Sequence, residues 1–249
     1  MVSGYTVGII QARLASTRLP GKILAPVAGR SVLLDVLVRR LRSSGIPWWL
    51  ATTELPSDDV TAAWGDALGL EVFRGSENDV LSRFTGVIGR TGADVVVRVT
   101  ADNPFTEGAT VRQLVKMLRS AGDTIEGVRA SRSPQQFPLG FVPEVVRSRA
   151  LLELDTSLAV DASVHRVHVT SGIDVGALLY YSDDSLPARP DWRWTIDTVT
   201  DLTMARAAFA AAGPAWSDAG YVELVGALDD RPDVTSMNQG VQQKAIEDG

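Results

Sequence analysis

The run Asp94-Val-Val-Val-Arg-Val-Thr100 (DVVVRVT) decides the architecture. It is β-branched almost throughout, the composition of a central parallel strand covered on both faces. Upstream, Val80, Leu81, Phe84, Val87 and Ile88 fall on one stripe at helical spacing, so a helix precedes the strand. Glu71 to Phe73 is short and strand-like, and a helix is expected from Ser57, where a capping serine precedes Asp58 and Asp59. Pro47 to Thr52 reads as another strand and Tyr5 to Ile10 as a buried one. Between them, Ser31 to Ser44 is expected to be a helix burying Leu34, Leu37, Val38 and Leu41. Downstream, a helix over Ala109 to Ala121 buries Val111, Leu114, Val115 and Leu118 and stops at Gly122. This alternation predicts an α/β fold, a mostly parallel sheet with helices on both faces.

Past Gly122 the pattern loosens. Gln135 to Val146 reads as a small excursion, and Ala177 to Ser182 and Trp192 to Asp197 (WRWTID) read as strands. Thr198-Val-Thr-Asp201 opens a helix with a capping-box pattern. A last helix is expected over Ser217 to Leu228, before a polar ending, NQGVQQKAIEDG, composed to fray. With no repeat and no linker, the chain reads as a single domain over 1–235 followed by a flexible tail over 236–249.

Composition narrows the function. The 249 residues are 45% apolar and 22% charged, enough to bury a sizeable core. A formal charge of -6 argues against a general nucleic-acid surface, which needs spread positive charge. Without cysteine there is no disulfide framework, thiolate zinc site or cysteine nucleophile. No signal-peptide pattern and no apolar run of membrane-spanning length is visible, so the expected compartment is the cytoplasm.

Against that acidic background, the first strand runs into three cations. IIQARLASTRLPGK, residues 9–22, carries Arg13, Arg18 and Lys22 among Ser16, Thr17, Pro20 and Gly21. It is not a Walker loop: Ser16 stands where the first glycine belongs and Ile23 follows Lys22. A dinucleotide G-x-G-x-x-G is absent too. Arginine still offers a planar fork and lysine a point charge to phosphate oxygens. Hydrogen bonds to charged groups contribute about 1.5–3 kcal/mol each, so a few would hold a triphosphate. The same loop also reads as a solvated turn whose cations pair with surface carboxylates. Asp102 follows a predicted strand and Asp197 ends another, where open parallel sheets bind ligands. Two carboxylates beside a triphosphate are what Mg²⁺ uses, although Asp197 is equally placed to cap the helix that follows.

Together these segments resemble cytidylyltransferases of the spore-coat polysaccharide biosynthesis type, relatives of the enzymes that make CMP-activated acidic sugars. The likeness runs through IIQARLASTRLPGKIL, Ala51-Thr-Thr53, FRGSENDVLSRF (73–84), VVVRVTADNP (95–104) and RWTIDTVTDL (193–202), in order. It implies a Rossmann-like, three-layer nucleotidyltransferase of the glycosyltransferase-A kind, usually a homodimer, using CTP and a small-molecule acceptor. By the resemblance, Arg13 and Lys22 hold the triphosphate with Ala12, Ser16 and Arg18 in the same loop. Ala51, Arg74 and Ser76 meet the nucleotide, and Asp102 and Asp197 bind Mg²⁺. Arg13, Lys22 and Asp102 are then the catalytic set. Asp79 reads either as part of a capping box begun by Ser76 or as a base contact, with Arg83 one turn on as its ion-pair partner.

The departures fall on the acceptor side. Where relatives read D-G-[LF]-D-V-E, this chain has Leu139-Gly-Phe-Val-Pro-Glu144, keeping Gly140 and Glu144. Where they read R-E-H-V-T it has Arg166-Val-His-Val-Thr170, keeping His168, and Asn103 replaces a common cysteine. The resemblance assigns Gly140, Glu144 and His168 to the acceptor, although His168 reads more readily as a packed or backbone-bonded histidine, and it implies an altered acceptor or weakened turnover. The expected reaction is transfer of CMP from CTP to a sugar-like, phosphate or phosphonate acceptor, with pyrophosphate released. A nucleotide-sugar-dependent glycosyltransferase and a non-catalytic nucleotide-binding protein are the alternatives. The Gln135 to Val146 excursion is the expected dimer contact.

Overall fold

The computed structural model describes residues 4–131, 134–159 and 164–243. Strand β1 (Thr6–Gln11) leads through the cationic loop into a short hairpin, β2 (Pro26–Ala28) with β3 (Ser31–Val32), and then α1 (Leu33–Leu41). Next come β4 (Trp48–Thr53), α2 (Asp59–Ala67), β5 (Glu71–Gly75), α3 (Val80–Thr91), β6 (Val95–Thr100) and α4 (Gly108–Ser120). The remainder comprises β7 (Gly127–Ala130), β8 (Glu144–Arg147), α5 (Ser148–Ser157), α6 (Val164–His168), β9 (Leu178–Tyr181), α7 (Val199–Ala212), α8 (Tyr221–Leu228) and α9 (Pro232–Thr235).

Seven strands form one sheet in the order β5-β4-β1-β6-β8-β7-β9, with β2 and β3 making a separate ribbon. The pairings β1–β4, β1–β6, β4–β5 and β7–β9 are parallel, and β8 runs antiparallel to β6 and β7. Side-chain alternation explains the two cores. Val95, Val97 and Val99 of β6 join Ile10 and Leu50 in the core under α1, α4, α7 and α8. Val96, with Val7 and Ile9, faces the smaller core of α3 and α5. This is the mostly parallel α/β architecture, with helices on both faces, expected from DVVVRVT and its flanking segments.

Several expectations change in detail. Ser31 and Val32 form β3, so the first helix starts at Leu33. Ser57 lies inside a 3₁₀ turn (Pro56–Asp58) rather than capping α2. Val115 is only half-buried, and the last long helix begins at Tyr221. WRWTID is no ladder strand: Arg193 makes an isolated parallel bridge with Leu139. Trp194 and Ile196 nevertheless alternate into the core while Arg193 and Asp197 face the opposite way into a polar network. The excursion returns to the sheet as β8. Thr198 and Asp201 do form the capping box of α7. In the stretch read as a tail, Asn238 is buried and its amide donates to the Arg193 carbonyl and Asp201 Oδ1. Residues 244–249 lie outside the described residues.

Candidate active site

Lys22 sits at the centre of the site. The loop leaving β1 turns at Gly21, whose φ of 72° belongs to the left-handed region that glycine enters without strain. Its amide donates to the Leu14 carbonyl, 3.0 Å, and the Leu14 amide donates to Asp58 Oδ1, 2.7 Å, pinning the loop to the β4–α2 turn. Thus held, Lys22 Nζ donates to Asp102 Oδ2 at 2.7 Å, Asp197 Oδ1 at 3.0 Å and the Ile196 carbonyl at 2.8 Å. Asp102 follows β6, and its carbonyl accepts from the Ile196 amide, 2.9 Å, which ties the two carboxylate-bearing segments together.

Charge in this cluster is closely balanced. Arg18 Nη2 lies 2.9 Å, and Arg193 Nη2 2.7 Å, from Asp197 Oδ2. Burial pushes the Asp197 carboxyl up, but Lys22, Arg18 and Arg193 outweigh it and hold the group below the usual carboxylate range. Burial likewise pulls the Lys22 ammonium down, and Asp102 and Asp197 more than reverse this. Behind them, Arg193 also donates to Asp201 Oδ1 at 2.9 Å and Gln243 Oε1 at 2.7 Å. The helix cap is Thr198, so Asp197 is free of the capping role.

The other nucleotide-loop residues divide by their partners. The Ala12 amide donates to the Ala51 carbonyl, 3.1 Å, and both side chains are buried. Ser16 Oγ accepts from the Leu19 amide, 3.4 Å. Arg13 is half-exposed, 3.6 Å from Glu77. Arg74 instead donates to the Thr53 and Leu55 carbonyls, both 2.9 Å, and pairs with Asp59 at 2.7 Å, bracing the β4–α2 turn. Ser76 begins no capping box: Asp79 is the N-cap of α3, its Oδ1 accepting from Ser82 N at 3.0 Å, while Ser76 Oγ accepts from Asp79 N. The ion-pair partner of Asp79 is Arg166 at 2.7 Å, not Arg83.

A second polar cluster lies on the α3-side face of the sheet, past its apolar part. Arg98 donates to Glu144 Oε2 at 2.6 Å and Gln11 Oε1 at 3.1 Å, and Thr170 Oγ1 donates to the same Glu144 oxygen at 2.8 Å. His168 ends α6, and between it and Thr170 stands Val169 with φ 49°. A buried β-branched residue there is strained, and its packing in the smaller core holds it. Gly140 has φ 90°, and a Cβ on it would meet Asn103 Oδ1 at 2.7 Å and Thr195 N at 2.9 Å. Gly140→Ala is therefore expected to lower unfolding stability by about 1–3 kcal/mol; a urea midpoint equal to wild type would refute the close packing.

The sequence reading missed Gln11, Arg98, Thr170, Arg193 and Asp201 as parts of these clusters. A signal existed for two: Arg98 is the lone charge inside VVVRVT (95–100), and Arg193 stands between two tryptophans.

The family model described as cytidylyltransferase matches residues 7–187, a span that contains the cationic loop, Asp102, Gly140, Glu144 and His168. This chain belongs to the cytidylyltransferase family. It is 34% identical over 238 residues to the spore coat polysaccharide biosynthesis protein SpsF of Bacillus subtilis, covering 92% of this chain and 95% of that one. A cytidylyltransferase from Leptospira borgpetersenii superposes with a TM-score of 0.86 at 25% identity, over 97% of this chain and 99% of that one. CMP:2-keto-3-deoxy-manno-octonic acid synthetase, solved with CTP, shares the fold with a TM-score of 0.60 at 16% identity, covering 83% and 98%. As a cytidylyltransferase, the chain is a nucleotidyltransferase. Among the described residues, no helix is long and apolar enough to cross a membrane.

Proposed function

We propose that this cytidylyltransferase transfers CMP from CTP to a sugar-like, phosphate or phosphonate acceptor, with Mg²⁺ and with release of pyrophosphate. The observation that carries the reading is the convergence of Lys22, Asp102 and Asp197 at 2.7–3.0 Å. An oxygen of the acceptor forms the new bond to the α-phosphorus as the bond to the pyrophosphate oxygen breaks, the departing charge being met by Arg13 and Lys22. No covalent nucleophile is needed, and catalysis is alignment with charge stabilisation.

The residues present suit a divalent cation. One ammonium reaches both Asp102 and Asp197, so the two carboxylates lie close enough to share one ion. Mg²⁺ is ordinarily held by one or two carboxylates plus substrate phosphates rather than by an all-protein cage. Among the described residues, no group of three or more His, Cys, Asp or Glu suited to a metal is present. When bound, Mg²⁺ would supply charge neutralisation at the phosphate oxygens. Lys22 then exchanges its carboxylate partners for phosphate. Ala12, Ser16, Arg18 and Ala51 line the nucleotide side, with Arg74 and Ser76 shaping the turns beside it.

The acceptor meets Gly140, Glu144 and His168 on the other side of β6. The polysaccharide role named for the B. subtilis relative supports a sugar-type acceptor. Pyrophosphate release is the test: incubation with CTP and Mg²⁺ should release it only when a suitable member of an acceptor panel is added. Tight CTP binding without release across sugar, phosphate and phosphonate acceptors would overturn the transfer reading.

A further inference from the structure

Among the described residues, every buried arginine but one donates several hydrogen bonds, although Arg40 Nε also lacks a partner. Arg40 donates to the Trp216, Ala219 and Phe105 carbonyls. Arg166 is held by Asp79 and Asp155, and Arg193 by Asp197 and Asp201. Arg83 is the exception. It is 1% exposed, yet its Nε and Nη1 have no hydrogen-bond partner among the described residues. Burial, and next the neighbouring Arg13, pull its guanidinium down to about 10.

The carboxylates near Arg83 do not need it. Asp58 already accepts from the Leu14 amide, Thr53 Oγ1 and Thr61 Oγ1. Asp79 is taken by the Ser82 amide and Arg166, and Glu77 lies beside Arg13. A buried cation without hydrogen bonds is costly to the fold, and such groups persist where a ligand completes them.

Position indicates which ligand atoms. The Arg83 stem passes under Gly75, whose added Cβ would stand 3.0 Å from Arg83 Cγ. Arg83 lies one turn into α3, whose start follows the carboxyl end of β5, and helical side chains lean toward the start of their helix. The sheet order puts β4 two strands from β6, about 10 Å at ordinary strand spacing. With the phosphates held at Lys22 as proposed above, a nucleobase directed toward β4 and β5 would approach Arg83. Cytosine presents two adjacent acceptors, O2 and N3, to a donor-only side chain. Uracil carries a hydrogen on N3 and opposes it.

We infer that Arg83 is a specificity-determining residue: its buried guanidinium donates to the O2/N3 acceptor edge of the cytosine and so selects CTP over UTP. This rests on the cytidylyl-transfer reading above.

Binding of CTP and of UTP, each with Mg²⁺, is measured by calorimetry on the full chain for wild type, Arg83→Met and Arg83→Lys. The urea midpoint is recorded for each. Arg83→Met should lower the CTP-over-UTP preference by about 10- to 100-fold, the loss of a charged hydrogen bond or two. Its midpoint should hold or rise, because it removes an unsatisfied buried cation. Arg83→Lys keeps the charge but not the planar donor array, so the preference should fall there too; if the Met variant fails to fold, the Lys variant carries the comparison. A preference retained in the folded variants overturns the assignment: equal losses of CTP and UTP affinity would move Arg83 to phosphate or ribose, and a lowered midpoint alone would make it structural. Wild type showing no preference for CTP would overturn the cytidine reading itself, and the role of Arg83 with it.

Discussion

Asp102→Asn is expected to reduce metal-dependent turnover by about 10²- to 10³-fold, the scale on which removal of one preorganised electrostatic contact acts, while leaving the fold in place. Two features separate these effects. The Asp102 side chain is 24% exposed and its carboxylate answers one cation, Lys22. Lys22 retains Asp197 and the Ile196 carbonyl when Asp102 becomes neutral. No buried charge is orphaned, so the change in stability should stay within about 1 kcal/mol.

Asp197→Asn is the control that gives this meaning. Its carboxylate neutralises Lys22, Arg18 and Arg193, and its side chain is only 11% exposed. Breaking a buried pair costs about 3–5 kcal/mol, because the partner charge stays behind uncompensated. The retained partners of Arg193, Asp201 and Gln243, should reduce that, so about 2–3 kcal/mol is expected. Pyrophosphate release and urea unfolding on both variants decide the matter. Near-normal turnover in Asp102→Asn would remove it as a metal ligand, and equal destabilisation in both would show that the pair is structural.

How much of this was legible beforehand follows the physics of each segment. The half built on β1, β4, β5 and β6 could be read because β1 and β6 are buried on both faces and its helices carry apolar stripes. β7 could not: Gly127-Val-Arg-Ala130 is four residues long, opens with glycine and includes a charge, and it exists through pairing with β8 and β9. WRWTID shows the opposite failure. Its period-2 alternation is real, since Trp194 and Ile196 do reach the core, but alternation reports burial and not ladder bonding. At the site, Lys22, Asp102 and Asp197 were legible because each ends or follows a recognisable segment. The partners of Arg74, Asp79 and Arg83 were not, because what decides a charged residue's partner is which group reaches it across the fold. Asp79 and Arg166 are 87 residues apart, and no local pattern encodes that pairing.

Lys22→Met should have two opposite effects: turnover lower by about 10²-fold or more, and affinity for Mn²⁺ without nucleotide higher by about tenfold or more. The first follows if Lys22 meets the departing pyrophosphate. The second follows from where the ammonium lies, 2.7 Å from Asp102 and 3.0 Å from Asp197. Two positive groups compete for the same carboxylates, and a unit-charge pair at about 4 Å is worth about 4 kcal/mol at an effective dielectric constant of about 20. Retraction of the flexible lysine stem and partial exposure reduce this, so tenfold, about 1.4 kcal/mol, is the minimum expected. Calorimetric titration of Mn²⁺ into each protein, without nucleotide, reads the effect independently of catalysis, and Mn²⁺ should raise the melting temperature of the variant more than that of wild type. Unchanged metal affinity in Lys22→Met would mean that the ammonium does not guard the site. If in addition Asp102→Asn leaves the Mn²⁺ affinity untouched, the cation binds elsewhere. On the proposed reading, a triphosphate would draw Lys22 away from the carboxylates and add its own oxygens to those available for a cation, so neither ligand should bind as tightly alone as with the other.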